Sequence, residues 1–196
     1  ISDDNVNINK YYWSEIFINC IEPYIKTLRD VNRVINTFQF RYKLLSTETS
    51  LEDVVALTTI EVLEPQLYQW IGSNKDLLCS TANYSSLFVS MEKKGYREYI
   101  VNELKNIGIN ADIAIKFLTT LFPVFANEMG FNNSGHLSSN IKESLRIAQE
   151  ERFDSYFMFD LRAIPVTRYV INDCINKMAL NDLITTITQI NNDGNI

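Results

Sequence analysis

Apolar residues return along this chain at intervals of three and four, the repeat of a helix that buries one stripe and leaves the other wet. Tyr12, Trp13, Ile16, Phe17, Cys20, Ile21 and Tyr24 form the first such series, which Glu22 and Pro23 bring to an end. Leu28, Val31, Ile35, Phe38, Tyr42 and Leu45 form the second, with steps that alternate three and four. A third helix is expected from Ser50, whose side chain can cap it, with Asp53 in the first turn ahead of Val54, Val55 and Leu57. Pro65 fits only the first turn of a new helix, so residues 66–71 are predicted as a separate short one ending near Gly72.

The middle of the chain continues the pattern. Leu87, Phe88, Met91, Tyr99, Ile100 and Leu104 predict a long helix from Tyr84 to Ile107, weakened at Gly95. Asn110 is placed to cap the next, whose stripe runs through Ile113, Ala114, Phe117, Leu118, Leu121, Phe122 and Phe125 and is disturbed at Pro123. Residues 131–137 are rich in Gly, Asn and Ser and read as a loop or linker. Beyond it come a helix from about Ser139 to Gln149, an aromatic cluster of Phe153, Tyr156, Phe157 and Phe159, and a helix start at Pro165/Thr167. The expected fold is all-α, a multi-helix orthogonal bundle that admits division into two subdomains: residues 1–130, the linker at 131–137, and a C-terminal helical part at 138–196.

Composition narrows the chemistry. With 46% hydrophobic and 21% charged residues the chain has the mixture of a packed domain. Six glycines and four prolines are too few for the turns of an all-β architecture. The formal net charge of -6 opposes general binding to nucleic-acid backbones, so no direct nucleic-acid contact is expected. Cys20, Cys79 and Cys174 stand far apart and read as reduced core thiols of a cytoplasmic protein, and the sole histidine, His136, has no metal-ligating neighbour. No metal site is expected. The longest apolar stretch, Ile113 to Phe125, is interrupted by Lys116 and is too short for a bilayer. A chain that opens at Ile1 reads as a segment of a longer polypeptide.

Catalytic patterns are missing. No Gly-rich loop precedes a Lys and Ser/Thr, so the backbone cradle for nucleotide phosphates is not encoded here, and no Cys/His or Ser/His arrangement points to a nucleophile. The acidic groups Asp3/Asp4, Glu61/Glu64 and Glu150/Glu151/Asp154 read as solvated faces. Arg29, Arg33 and Asn36 are different. Their spacing of four and three puts them on one face of the second helix, opposite the Leu28/Val31/Ile35/Phe38 stripe, where guanidinium groups could receive an anion or pair with Glu22, Asp30 or Asp53.

Two blocks carry a resemblance. YYWSEIFINCIEPYIKTLRDVNRVINTFQF (Tyr11 to Phe40) with DVVALTTIEVLEPQLYQWI (Asp53 to Ile71), and then RIAQEERFDSYF (Arg146 to Phe157), resemble the KAP family of P-loop NTPases, in the same order along the chain. The resemblance spans roughly residues 11–71 and 146–180. It implies the helical C-terminal part of a larger, bacterial or eukaryotic protein whose N-terminal core binds ATP and Mg; some bacterial members are linked to phage exclusion. In that family membrane-spanning insertions are frequent, so any membrane association would come through the parent. Leu28, Arg29, Asp30 and Arg33 match the family's Leu/Pro-Arg-Asp-x-x-Arg element, which implies a nucleotide-sensing role for Arg29 first and for Arg33, with Asn36 alongside. The phosphate-binding loop and its acidic magnesium partner lie outside this chain, so the segment itself is expected to bind no cofactor and to catalyse nothing. Its expected partner is the NTPase core of the same polypeptide. The alternative is a helical protein-interaction module that docks through the aromatic faces at Phe117 to Phe125 and Phe153 to Phe159.

Overall fold

A computed structural model describes residues 10–79, 93–131 and 145–158. The fold is all-α, and no strand occurs among the described residues. Helix α1 (Lys10–Ile16) passes directly into a π-helical turn (Phe17–Ile21). Then follow α2 (Leu28–Leu45), α3 (Leu51–Leu63), α4 (Pro65–Ser73) and α5 (Lys75–Cys79). Helices α6 (Lys93–Asn106), α7 (Ala111–Leu121) and α8 (Pro123–Glu128) come next. The last elements are α9 (Glu150–Phe153) and a 3₁₀ turn (Asp154–Phe157).

The helix boundaries follow from capping chemistry. Thr27 Oγ1 accepts from Asp30 N, and the Asp30 carboxylate accepts in return from Thr27 N, a capping box that starts α2. Ser50 Oγ accepts from Asp53 N at the head of α3, and Asn110 Oδ1 accepts from Asp112 N and Ile113 N at the head of α7. Pro65 and Pro123 each occupy the first turn of a new helix, so the chain bends at Glu64 and at Phe122.

One core runs through the described residues. Tyr12, Ile16 and Cys20 from the first segment meet Leu57 and Ile60 of α3, Phe117 and Leu121 of α7, and Phe125 of α8. Ile147, Phe153 and Tyr156 belong to the same core, so the described part of the C-terminal region packs onto the helices that precede it. The expected linker at 131–137 lies outside the described residues except for Phe131, as do His136, Cys174, Phe159 and the Pro165/Thr167 start.

Four expectations change. Residues Leu145 to Gln149 form turns rather than the end of a helix, with Leu145 at φ 55° in the left-handed region. On α6 the buried positions are Tyr96, Ile100 and Leu104, while Tyr99 is exposed. On α2 the inward residues are Val34, Arg41 and Leu45, with Phe38 and Tyr42 packed at the margin, while Leu28 and Ile35 face outward. The inward face is therefore rotated from the apolar stripe read in the sequence, and it includes an arginine. Finally, the aromatic faces offered for docking are interior: Phe117, Phe122, Phe125, Phe153 and Tyr156 are all essentially inaccessible.

No helix among the described residues is long and apolar enough to cross a membrane.

Candidate functional site

Helix α2 packs chiefly against α3 and leaves its opposite side open. Successive residues on a helix turn by about 100°, so the open side carries Leu28 and Ile35 along one edge and Arg29, Arg33 and Phe40 along the other. Asn32, Asn36, Gln39 and Lys43 lie between or beside them. All nine of these residues are exposed, Leu28 and Phe40 strongly so at 80% and 63%. Three are cationic, three apolar, three amides and none acidic.

The Arg29, Arg33 and Asn36 side chains share one exposed face, as the spacing placed them, but Leu28 and Ile35 are exposed on the same open side of α2 instead of being buried on the opposite one. Arg33 Nη2 donates to Val62 O at 3.1 Å, occupying a carbonyl that the last turn of α3 leaves without an intrahelical donor. Among the described residues neither Arg29 nor Arg33 forms an ion pair. Of the carboxylates considered as partners, Asp30 is committed to the helix cap, where the Thr27 hydroxyl and the Lys26 and Thr27 amides hold it below the usual carboxylate range, and Asp53 is claimed elsewhere.

Asp53 anchors an interior polar network that the sequence spacing did not announce. It is fully buried, and Arg146 Nε lies 3.1 and 3.0 Å from its two oxygens, while Ile147 N donates at 2.8 Å. The Tyr12 hydroxyl donates to Asp53 and accepts from Arg146, whose guanidinium also lies over the Tyr12 ring. Burial pushes the Tyr12 phenol well above its usual value, and the adjacent Asp53 charge pushes in the same direction. Burial, the largest single influence, would lower the Arg146 pKa, but the Asp53 carboxylate together with Tyr12 and Tyr156 outweighs it, so the guanidinium stays charged.

Neighbouring ties extend the network. Tyr156 Oη accepts from Ser50 N at 2.8 Å and donates to Leu145 O at 2.7 Å, fixing the strained Leu145 backbone against the cap of α3. Arg41 pairs with Glu61 and donates to Tyr68 Oη and Tyr156 O. Arg152 pairs with Glu48 at 2.6 Å, and Lys75 with Asp154 at 2.5 Å. Glu61 and Asp154, read in the sequence as members of solvated acidic groups, are thus engaged in ion pairs. Sequence reasoning considered Asp53 only as a partner for Arg29 or Arg33 and missed the Asp53–Arg146 and Arg41–Glu61 pairs, because partners 93 and 20 residues apart on different elements leave no local spacing to detect.

Cys20 and Cys79 are free buried thiols, as expected of core cysteines. The Cys79 thiol, donating weakly to Ile147 O, is pushed up to about 12 by burial, which leaves it unreactive as a nucleophile. Among the described residues no cluster of His, Cys, Asp or Glu is arranged to hold a metal. The Asp53 network is closed to solvent, whereas the outer face of α2 is an exposed surface whose Arg29 and Arg33 form no ion pair among the described residues.

No protein-family model matches the chain, and no curated protein or solved structure is significantly similar to it.

Proposed function

We propose that this chain is a helical coupling region that meets a nucleotide-hydrolysing core of the same polypeptide through the outer face of α2, with Arg29 as the group that senses the bound phosphates. The single observation supporting this reading is the contrast in arginine use. Arg41, Arg146 and Arg152 are consumed by buried or half-buried carboxylates, whereas Arg29 projects from the first turn of α2 with no partner among the described residues. A guanidinium so placed can approach an anion on an adjoining domain, and such a group can neutralise charge developing on a transferred phosphoryl. Arg33, already bonded to Val62 O, fixes α2 against α3 and so sets where Arg29 points. The resemblance of Leu28, Arg29, Asp30 and Arg33 to the KAP element supplies the identity of the core, and with it ATP and Mg as the parent's ligands.

ATP turnover by the complete polypeptide tests this. With Arg29→Ala folded as judged by circular dichroism, turnover should fall by roughly 10²-fold or more. Unchanged turnover would remove the sensor role.

A second reading draws on a specific observation: Leu28, Ile35 and Phe40 are exposed beside the arginines, as in a protein-docking face with no nucleotide role. Arg29→Ala would then leave turnover intact and weaken only partner binding.

A further inference from the structure

Resting on the reading that the outer face of α2 is a docking surface, we infer the chemistry of what docks there: an amphipathic helix whose contacting face alternates apolar residues with carboxylates. The chain carries more acidic than basic residues, yet Arg29, Arg33 and Lys43 share the open side of α2 with no exposed acid among them. A local positive stripe on an acidic protein selects for a negative partner and rejects a basic one. Leu28, Ile35 and Phe40 lie on the same side, and apolar side chains this exposed are satisfied by burial against apolar groups, which phosphates cannot offer.

The dimensions fit one helix. From Leu28 to Lys43 the stripe extends about 22 Å at 1.5 Å per residue, the length of roughly fifteen helical residues. A second copy of α2 is the wrong occupant. Antiparallel pairing of two such faces in the register that overlaps them fully would set Arg29 of each against Lys43 of the other, and parallel pairing would align like with like. Duplex nucleic acid is also a poor fit, since three cations release few counterions and the chain as a whole repels a polyanion. One helix on one open face buries little area, so the contact is expected to be weak for separate molecules and effective when both sides belong to one polypeptide.

The test is direct titration of the 196-residue chain, by fluorescence anisotropy, with a labelled fifteen-residue helical peptide carrying Leu and Glu on one face. Two control peptides replace either the Leu by Ser or the Glu by Lys. The acidic amphipathic peptide should bind with Kd on the order of 100 µM, and both controls at least tenfold more weakly, for a contact that needs apolar and charged groups together. R29E/R33E/K43E and, separately, L28S/I35S/F40S should each weaken binding at least tenfold while the helical circular dichroism is retained. Absence of binding by the acidic peptide, tighter binding of the Lys peptide, indifference to both triple variants, or self-association abolished by those variants would overturn the inference. Because ATP turnover in the complete polypeptide is a separate readout, failure of the unmutated chain to bind the acidic peptide, with Arg29→Ala still damaging turnover, would sink this proposal alone; peptide binding as expected, with turnover indifferent to Arg29→Ala, would sink the sensor role alone.

Discussion

The inner and outer arginines of this protein belong to one chemical type and are put to opposite uses. Arg146 lies beneath the surface against a carboxylate with no solvent access, held by a phenol and bracketed by a backbone amide. Arg29 stands on a capped helix with its guanidinium in water. An ion pair inside a protein is expensive to assemble and more expensive to break by halves, because the abandoned partner keeps its desolvation cost. An exposed cation costs little to keep and little to remove. The difference teaches that burial, more than residue type, decides whether an arginine here holds the fold or is available to a partner.

That contrast can be broken experimentally, beginning with its strongest point. Arg146→Met should lower the urea midpoint by the equivalent of about 3–5 kcal/mol, leaving Asp53 buried without a cation. The double variant Asp53→Leu/Arg146→Met should recover most of the loss, since neither charge is then stranded. If Arg146→Met alone proves as harmless as Arg29→Ala, the division between inner and outer arginines is wrong.

Next comes alkaline pH. Burial holds the Tyr12 and Tyr156 phenols well above their usual value, and Tyr24 is raised by the same cause. Folded values above unfolded ones mean that this stability is fully present below about pH 10, the unfolded phenol value, and is lost as pH rises beyond it. Absorbance near 295 nm should therefore show these phenols ionising together with unfolding, not before it.

Arg41→Met should cost about 1–3 kcal/mol, less than Arg146→Met, because Glu61 keeps partial access to solvent at 21% while the Tyr156 carbonyl loses a donor. Thr27→Ala removes the cap of α2 and should cost about 1 kcal/mol, with faster amide exchange confined to the first turn that carries Arg29. At the small end, Arg29→Ala should change stability by no more than about 0.5 kcal/mol. Arg33→Ala should cost slightly more, through the lost bond to Val62 O.

Much of this architecture could be read in the sequence. The Ser50 and Asn110 caps and the breaks at Pro65 and Pro123 follow from local rules, and the structure contains each; of the first apolar series Tyr12, Ile16, Cys20, Ile21 and Tyr24 are buried, while Phe17 is exposed. Orientation was harder. Leu28 and Ile35 keep perfect helical time with Phe38 and Leu45, yet α2 has only α3 as its main neighbour, and the packed side includes Val34 and Arg41 instead. Periodicity reports that an apolar stripe exists; which edge of it meets the core depends on a tertiary partner. Arg41 could not be read as interior because its neutralising groups, Glu61 and the Tyr156 carbonyl, come from elsewhere in the chain. The Arg29/Arg33/Asn36 face was legible for the opposite reason, since a shared face on one helix needs nothing beyond 3.6 residues per turn.

The pairing of Asp53 with Arg146 also imposes a schedule on biosynthesis. With 93 positions between them, the carboxylate leaves the peptidyl-transferase centre roughly 5–20 s ahead of its guanidinium at ordinary elongation rates. During that interval the head of α3 cannot settle into its final dry environment without stranding a charge. A nascent chain that ends before Arg146 should thus keep the α1–α3 junction loose and wet until that guanidinium arrives to close it.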